Sequence, residues 1–88
     1  MKIYEYEGKK NICGENIRRI RGEKKLSQAK LSQMLQLEGI VIDRYSICRM
    51  EKGERFIADY ELYKIARVLE VPMEDLFRED SEEDCAKA

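Results

Sequence analysis

Residues 43–53 read Asp43-Arg44-Tyr45-Ser46-Ile47-Cys48-Arg49-Met50-Glu51-Lys52-Gly53, a run in which guanidinium, phenol and ammonium groups recur at helical spacing. At about 100° per residue, Tyr45, Arg49 and Lys52 lie opposite the apolar stripe of Ile47 and Met50, with Cys48 at their flank. Such groups do recognition chemistry. A guanidinium can fork onto the O6 and N7 atoms of guanine, and a phenol can pack on a thymine methyl or bond a phosphate. The combination suits a helix laid into the major groove of DNA. Covalent chemistry is a poor fit, because the chain has no histidine, which removes the commonest general base and every Ser-His-Asp or Cys-His arrangement.

A reading surface needs elements to hold it. Asp43 can cap the reading helix by accepting from first-turn amides, and Gly53 closes it. Upstream, Ile12, Ile17 and Ile20 predict a first helix over residues 11–23, with Arg18 and Arg19 pointing away from its core face. Gly22 weakens its last turn by about 1 kcal/mol relative to alanine. Leu26 plugs the core, Ser27 caps a second helix, and Leu31, Met34 and Leu35 continue it towards Gly39. Ser32 is small enough for a neighbouring helix to come close. Ile40, Val41 and Ile42 are β-branched and suit an extended, partly buried connector. Downstream, Leu62, Ile65, Ala66 and Leu69 give a fourth helix one core face, with Asp59 at its start. Pro72 opens a short fifth helix through Met73, Leu76 and Phe77. Met34, Met50 and Met73 fall at core periods and read as packing.

The chain of 88 residues has room for one modest all-α domain, spanning residues 12–77 between an arm at 1–11 and an acidic tail at 78–88 expected to be disordered. The segment Lys2-Ile3-Tyr4-Glu5-Tyr6-Glu7 alternates briefly, so the arm is either loose or a short strand that pairs in a dimer. The net charge of −1 conceals a division. Residues 12–56 hold ten Lys or Arg against six Asp or Glu, whereas residues 57–88 hold four against ten. Local positive charge is what a phosphate footprint requires, although charge clusters also simply solvate helix faces. Cys13, Cys48 and Cys85 are too far apart in sequence for a Cys-x-x-Cys pair, and without histidine they offer no structural zinc site. Free thiols in a reducing compartment are the simpler reading. Cys48 could sense oxidants only if Arg44 or Arg49 stabilised its thiolate; otherwise it is an ordinary thiol. No apolar run is long enough to span a bilayer and the start lacks a signal-peptide core, so a cytoplasmic location is expected.

Five segments in order carry a resemblance: Gly14-Glu15-Asn16-Ile17-Arg18-Arg19-Ile20-Arg21; Leu26-Ser27-Gln28 with Leu31; Ser46-Ile47-Cys48-Arg49-Met50-Glu51-Lys52-Gly53; Leu62-x-x-Ile65-Ala66-x-x-Leu69-x-Val71; and Asp75-Leu76-Phe77. Together they resemble a Cro/CI-type helix-turn-helix domain of the XRE family. The resemblance implies a compact five-helix, lambda-repressor-like DNA-binding domain, usually a dimeric repressor or regulator on palindromic double-stranded DNA, here expected as a homodimer; no cofactor is expected. By position, Gln28 would contact a phosphate, Arg44, Tyr45 and Arg49 would reach base edges beside Ser46, and Lys52 and Arg55 would meet the backbone. Arg21 and Glu51 match the family's internal ion pair. The spacing supports that pair independently, since each charge falls four residues after a core isoleucine, Ile17 or Ile47, and so borders its helix's buried stripe. This chain departs from the pattern in its longer turn around residues 37–41, which leaves the angle between helices two and three open. The alternative function is a protein-interaction module, such as an antitoxin or anti-repressor, docking a protein partner through the outer face and acidic tail.

Overall fold

Four α-helices and a short 3₁₀ helix make up the structure, a computed structural model that describes residues 6–78. They are α1 (Gly14–Glu23), α2 (Gln28–Leu37), α3 (Arg44–Glu51), α4 (Asp59–Leu69) and the 3₁₀ helix Met73–Phe77. The all-α, five-element architecture expected from the periodicity is present, with the fifth element wound more tightly than an α-helix.

Each start has a local cause. Ser27 and Asp43 are both extended, and their side-chain oxygens accept from the amides of Lys30 at 2.9 Å and Ser46 at 2.7 Å. The Ser46 amide also holds the Asp43 carboxyl below its ordinary value. The first helix begins later than the periodicity predicts. Asn11 Oδ1 takes the amides of Cys13 at 3.1 Å and Gly14 at 2.7 Å, and its own amide donates to the carbonyls of Met50 at 3.1 Å and Arg55 at 2.7 Å. Asn11 is therefore a staple ahead of α1, not its first residue. Ile12 is left 49% exposed and Cys13 enters the core instead, where burial pushes its thiol up to about 11.

Ile17, Leu31, Leu35, Ile47, Met50, Ile65, Leu69 and Leu76 form the fully buried centre, to which every helix contributes. Each such side chain contributes about 1.5–3 kcal/mol relative to exposure. Of the three methionines expected in the core only Met50 is fully buried; Met34 is half-buried and Met73 lies at the surface. At Gly14 the start of α1 crosses the end of α3 so closely that a Cβ would overlap the Met50 carbonyl oxygen.

The arm is a tight turn over its described part. Tyr6 and Lys9 exchange backbone hydrogen bonds around Glu7 and Gly8, whose φ values of 52° and 82° match the left-handed turns that close two-residue hairpins. Lys10 N–H then donates to the Gly53 carbonyl at 2.8 Å, tying the turn to the end of α3. The segment 2–7, read from sequence as either a loose arm or a short strand, lies mostly outside the described residues, as does the expected tail beyond Arg78.

Candidate nucleic-acid interface

The inner face of α3 is buried through Ile47, Met50 and Glu51, so the remaining positions of the helix point outward. Tyr45 is 69% exposed, Arg44 and Lys52 are exposed, and Ser46, Cys48 and Arg49 are half-buried. The strip predicted from sequence is thus presented on a capped helix whose other side is locked into the core. The Arg44 guanidinium makes no hydrogen bond or ion pair among the described residues, which leaves its donors open to a ligand. Arg49 is more constrained: its guanidinium lies 6.0 Å from the Tyr45 ring centroid, and Nη2 donates to the Glu54 carbonyl at 3.1 Å. Tyr45 and Arg49, one turn apart, form a stacked pair along the strip.

Behind the strip, Glu51 joins three parts of the fold. It is 6% exposed and accepts from Arg21 Nε at 2.7 Å and Arg21 Nη2 at 3.1 Å. Gln28 Nε2 reaches the same carboxylate at 3.0 Å, and Arg21 Nη1 donates to the Leu26 carbonyl at 2.7 Å. The carboxylate thereby fixes the start of α2 and the end of α1 against the end of α3. Gln28, matched to a phosphate contact by the resemblance, spends an amide hydrogen inside this hub and keeps its second hydrogen and its oxygen for any outward bond.

Arg55 is similarly engaged. Its Nη1 and Nη2 donate to Glu61 at 3.1 and 3.2 Å, with a further bond from Nη1 to the Phe56 carbonyl. Burial raises the Glu61 carboxyl, but bonds from Arg55 and from Ala58 N–H outweigh it and hold the group below its ordinary value of 4.5. Of the proposed contact residues, then, Arg44, Tyr45, Ser46, Arg49 and Lys52 share α3 and its cap, while Gln28 and Arg55 act as fasteners beside it.

The turn between α2 and α3 occupies residues 38–43. Gly39, at φ 88°, reverses the chain, and Ile40 N–H closes back on the Leu35 carbonyl at 3.0 Å. Ser32 Oγ donates to the Ile42 carbonyl at 2.6 Å, and Glu38 accepts from Lys64 at 3.3 Å and pairs with Arg67 at 3.2 Å on α4. Ile42 is buried and Ile40 half-buried, as an extended and partly buried connector requires, but Val41 is 84% exposed. Sequence reading missed the bracing roles of Ser32 and Glu38. The signal in the sequence was slight, since Ser32 is one of several polar residues on α2 and differs from Gln28, Lys30, Gln33 and Gln36 only in being small.

The acidic groups of the basic half are largely offset by cations. Lys9 pairs with Glu15 at 2.6 Å and Arg19 with Glu23 at 3.2 Å, leaving Arg18, Lys24, Lys25 and Lys30 exposed. No helix among the described residues is long and apolar enough to cross a membrane.

A helix-turn-helix family profile matches residues 17–76. The crystal structure of the restriction-modification controller protein C.AhdI from Aeromonas hydrophila is similar to this chain at a TM-score of 0.66 and 28% identity, over 74% of this chain and 91% of that one. No curated protein matches significantly.

Proposed function

The chain belongs to the helix-turn-helix family of the XRE (Cro/CI) type, and on that premise we propose that it binds double-stranded DNA sequence-specifically and represses transcription by placing α3 in the major groove. The observation that carries this reading is the outer strip of α3, with Arg44, Tyr45, Arg49 and Lys52 held on one rigid support whose inner face is core. Arg44 and Arg49 supply donors for base edges, Tyr45 an apolar and hydrogen-bonding surface, and Lys52 charge for phosphate. A single domain of this size makes few base contacts, so the protein acts as a homodimer on two half-sites, the symmetry doubling the recognition energy. The exposed Phe77 at the end of the 3₁₀ helix belongs to our proposed dimer surface. The likeness to a restriction-modification controller protein favours a regulator over an antitoxin or anti-repressor.

Fluorescence anisotropy with duplex DNA from upstream of the reading frame, over a salt series, tests the reading. Wild-type affinity should fall steeply as salt rises, through counterion release. Arg49→Ala should retain its fold and lose preference for the upstream duplex over scrambled DNA. Equal preference in Arg49→Ala would remove that residue from base reading, and an affinity indifferent to salt would remove the duplex from the site.

A further inference from the structure

The lengthened turn adds a contact of its own. Resting on the DNA-binding reading above, we propose that Val41 reads a thymine methyl group in the major groove, so that the turn extends the recognition surface beyond α3. Val41 lies two residues ahead of the cap Asp43, at the end of α3 that leads a recognition helix into the groove. It is 84% exposed although both neighbours are drawn inward, Ile42 into the core and Ile40 partly so. An aliphatic side chain held out in water gains nothing for folding, whereas against a thymine C5-methyl it buries apolar surface.

Two further observations separate this position from an incidental surface valine. The turn is braced from several sides, by the Gly39 reversal, by Ser32 on the Ile42 carbonyl and by Glu38 on Lys64 and Arg67. A side chain on such a support keeps its direction, which discrimination between bases demands. The turn also offsets part of its negative charge. Glu38 is matched by two cations on α4, and the Asp43 carboxylate is turned onto the Ser46 amide. An apolar tip between a carboxylate paired with two cations and one seated on the positive end of α3 meets less repulsion from a polyanion than two unpaired carboxylates would impose.

The experiment uses duplexes selected by the wild-type protein from a randomised pool, then remade with uracil replacing one thymine at a time, which deletes only the C5-methyl. Binding is measured for wild type and Val41→Ala, with thermal melting as the control for folding. At one thymine in each half-site, uracil should weaken wild-type binding about fourfold, the worth of one buried methyl group, and leave Val41→Ala nearly unaffected. Because the substitution acts in both protomers, Val41→Ala should lose about sixteenfold on the unmodified duplex and only about fourfold, relative to wild type, on a duplex with uracil in one half-site. The proposal is overturned if every uracil substitution affects the two proteins alike, or if Val41→Ala binds the unmodified duplex as tightly as wild type. A pool that yields no preferred sequence overturns the DNA-reading function itself, an outcome distinct from tight, selective binding without methyl sensitivity.

Discussion

Glu51 shows how one residue can decide whether the reading strip exists. Its carboxylate is nearly inaccessible and takes hydrogen bonds from Arg21 and Gln28, so removing the arginine strands a buried charge. Arg21→Ala should therefore lower unfolding stability by about 3–5 kcal/mol in urea titrations, whereas Arg49→Ala, on the outer face, should stay within about 0.5 kcal/mol of wild type. A loss of less than about 1 kcal/mol for Arg21→Ala would mean that the pair is solvated and only incidental. The pairing of Arg21 with Glu51 was legible in the sequence because each charge borders its helix's apolar stripe. The share of Gln28 in it was not, since an amide at the start of α2 can equally meet a phosphate or a neighbouring carboxylate, and only the fold brings Glu51 within reach. Gly14 was hidden for the same reason. A glycine near a helix start is ordinary in sequence, and its necessity comes from the Met50 carbonyl of another helix.

At the scale of elements, the helices with a good capping residue were placed well, and the poorly signalled ones were not. Ser27 and Asp43 mark α2 and α3 because a side-chain oxygen satisfies amides that would otherwise lack partners. The start of α1 was displaced because Ile12 continues the apolar period while Asn11 has already claimed the amides that define the true boundary. The turn's apolar residues announced an ordered connector, but its braces come from Ser32 and from α4, contacts with no trace in local periodicity. Helix α4 is the instructive exception. Its cap position is Ala58, in extended conformation at φ −71° and ψ 155°, with Glu61 accepting from the Ala58 amide at 3.0 Å. One half of a capping box is in place, while the Glu61 amide meets only the Ala58 carbonyl, at 3.0 Å, with no side-chain oxygen to accept from it. Ala58→Ser should complete it and add about 0.5–2 kcal/mol, read as a melting temperature higher by about 4–8 °C per kcal/mol. An unchanged or lower melting temperature would show that the hydroxyl cannot reach the Glu61 amide, and that Glu61 and Arg55 alone set the start of α4.

Over the whole molecule, the proposed DNA-binding reading makes the balance of charge a determinant of how strongly the α3 strip meets DNA. The net charge of −1 contains a basic segment and, beyond the last described residue, the acidic side chains Glu79, Asp80, Glu82, Glu83 and Asp84. Association with a polyanion responds to the field of every charge on the chain, reduced by salt over a Debye length of about 10 Å at 0.1 M. Replacing these five carboxylates by Gln and Asn leaves chain length unaltered and moves the net charge from −1 to +4. The expected result is faster association and tighter binding at low salt, for specific and scrambled duplexes alike, because the field carries no sequence information. The gap between variant and wild type should close as salt rises, since screening suppresses this long-range term first. Preference for the selected duplex should stay constant, because the proposed reading assigns it to Arg44, Tyr45 and Arg49 and not to net charge. Equal association rates at every salt concentration would show that the carboxylates sit outside the field felt by bound DNA, and would assign the acidic segment to a partner other than the duplex.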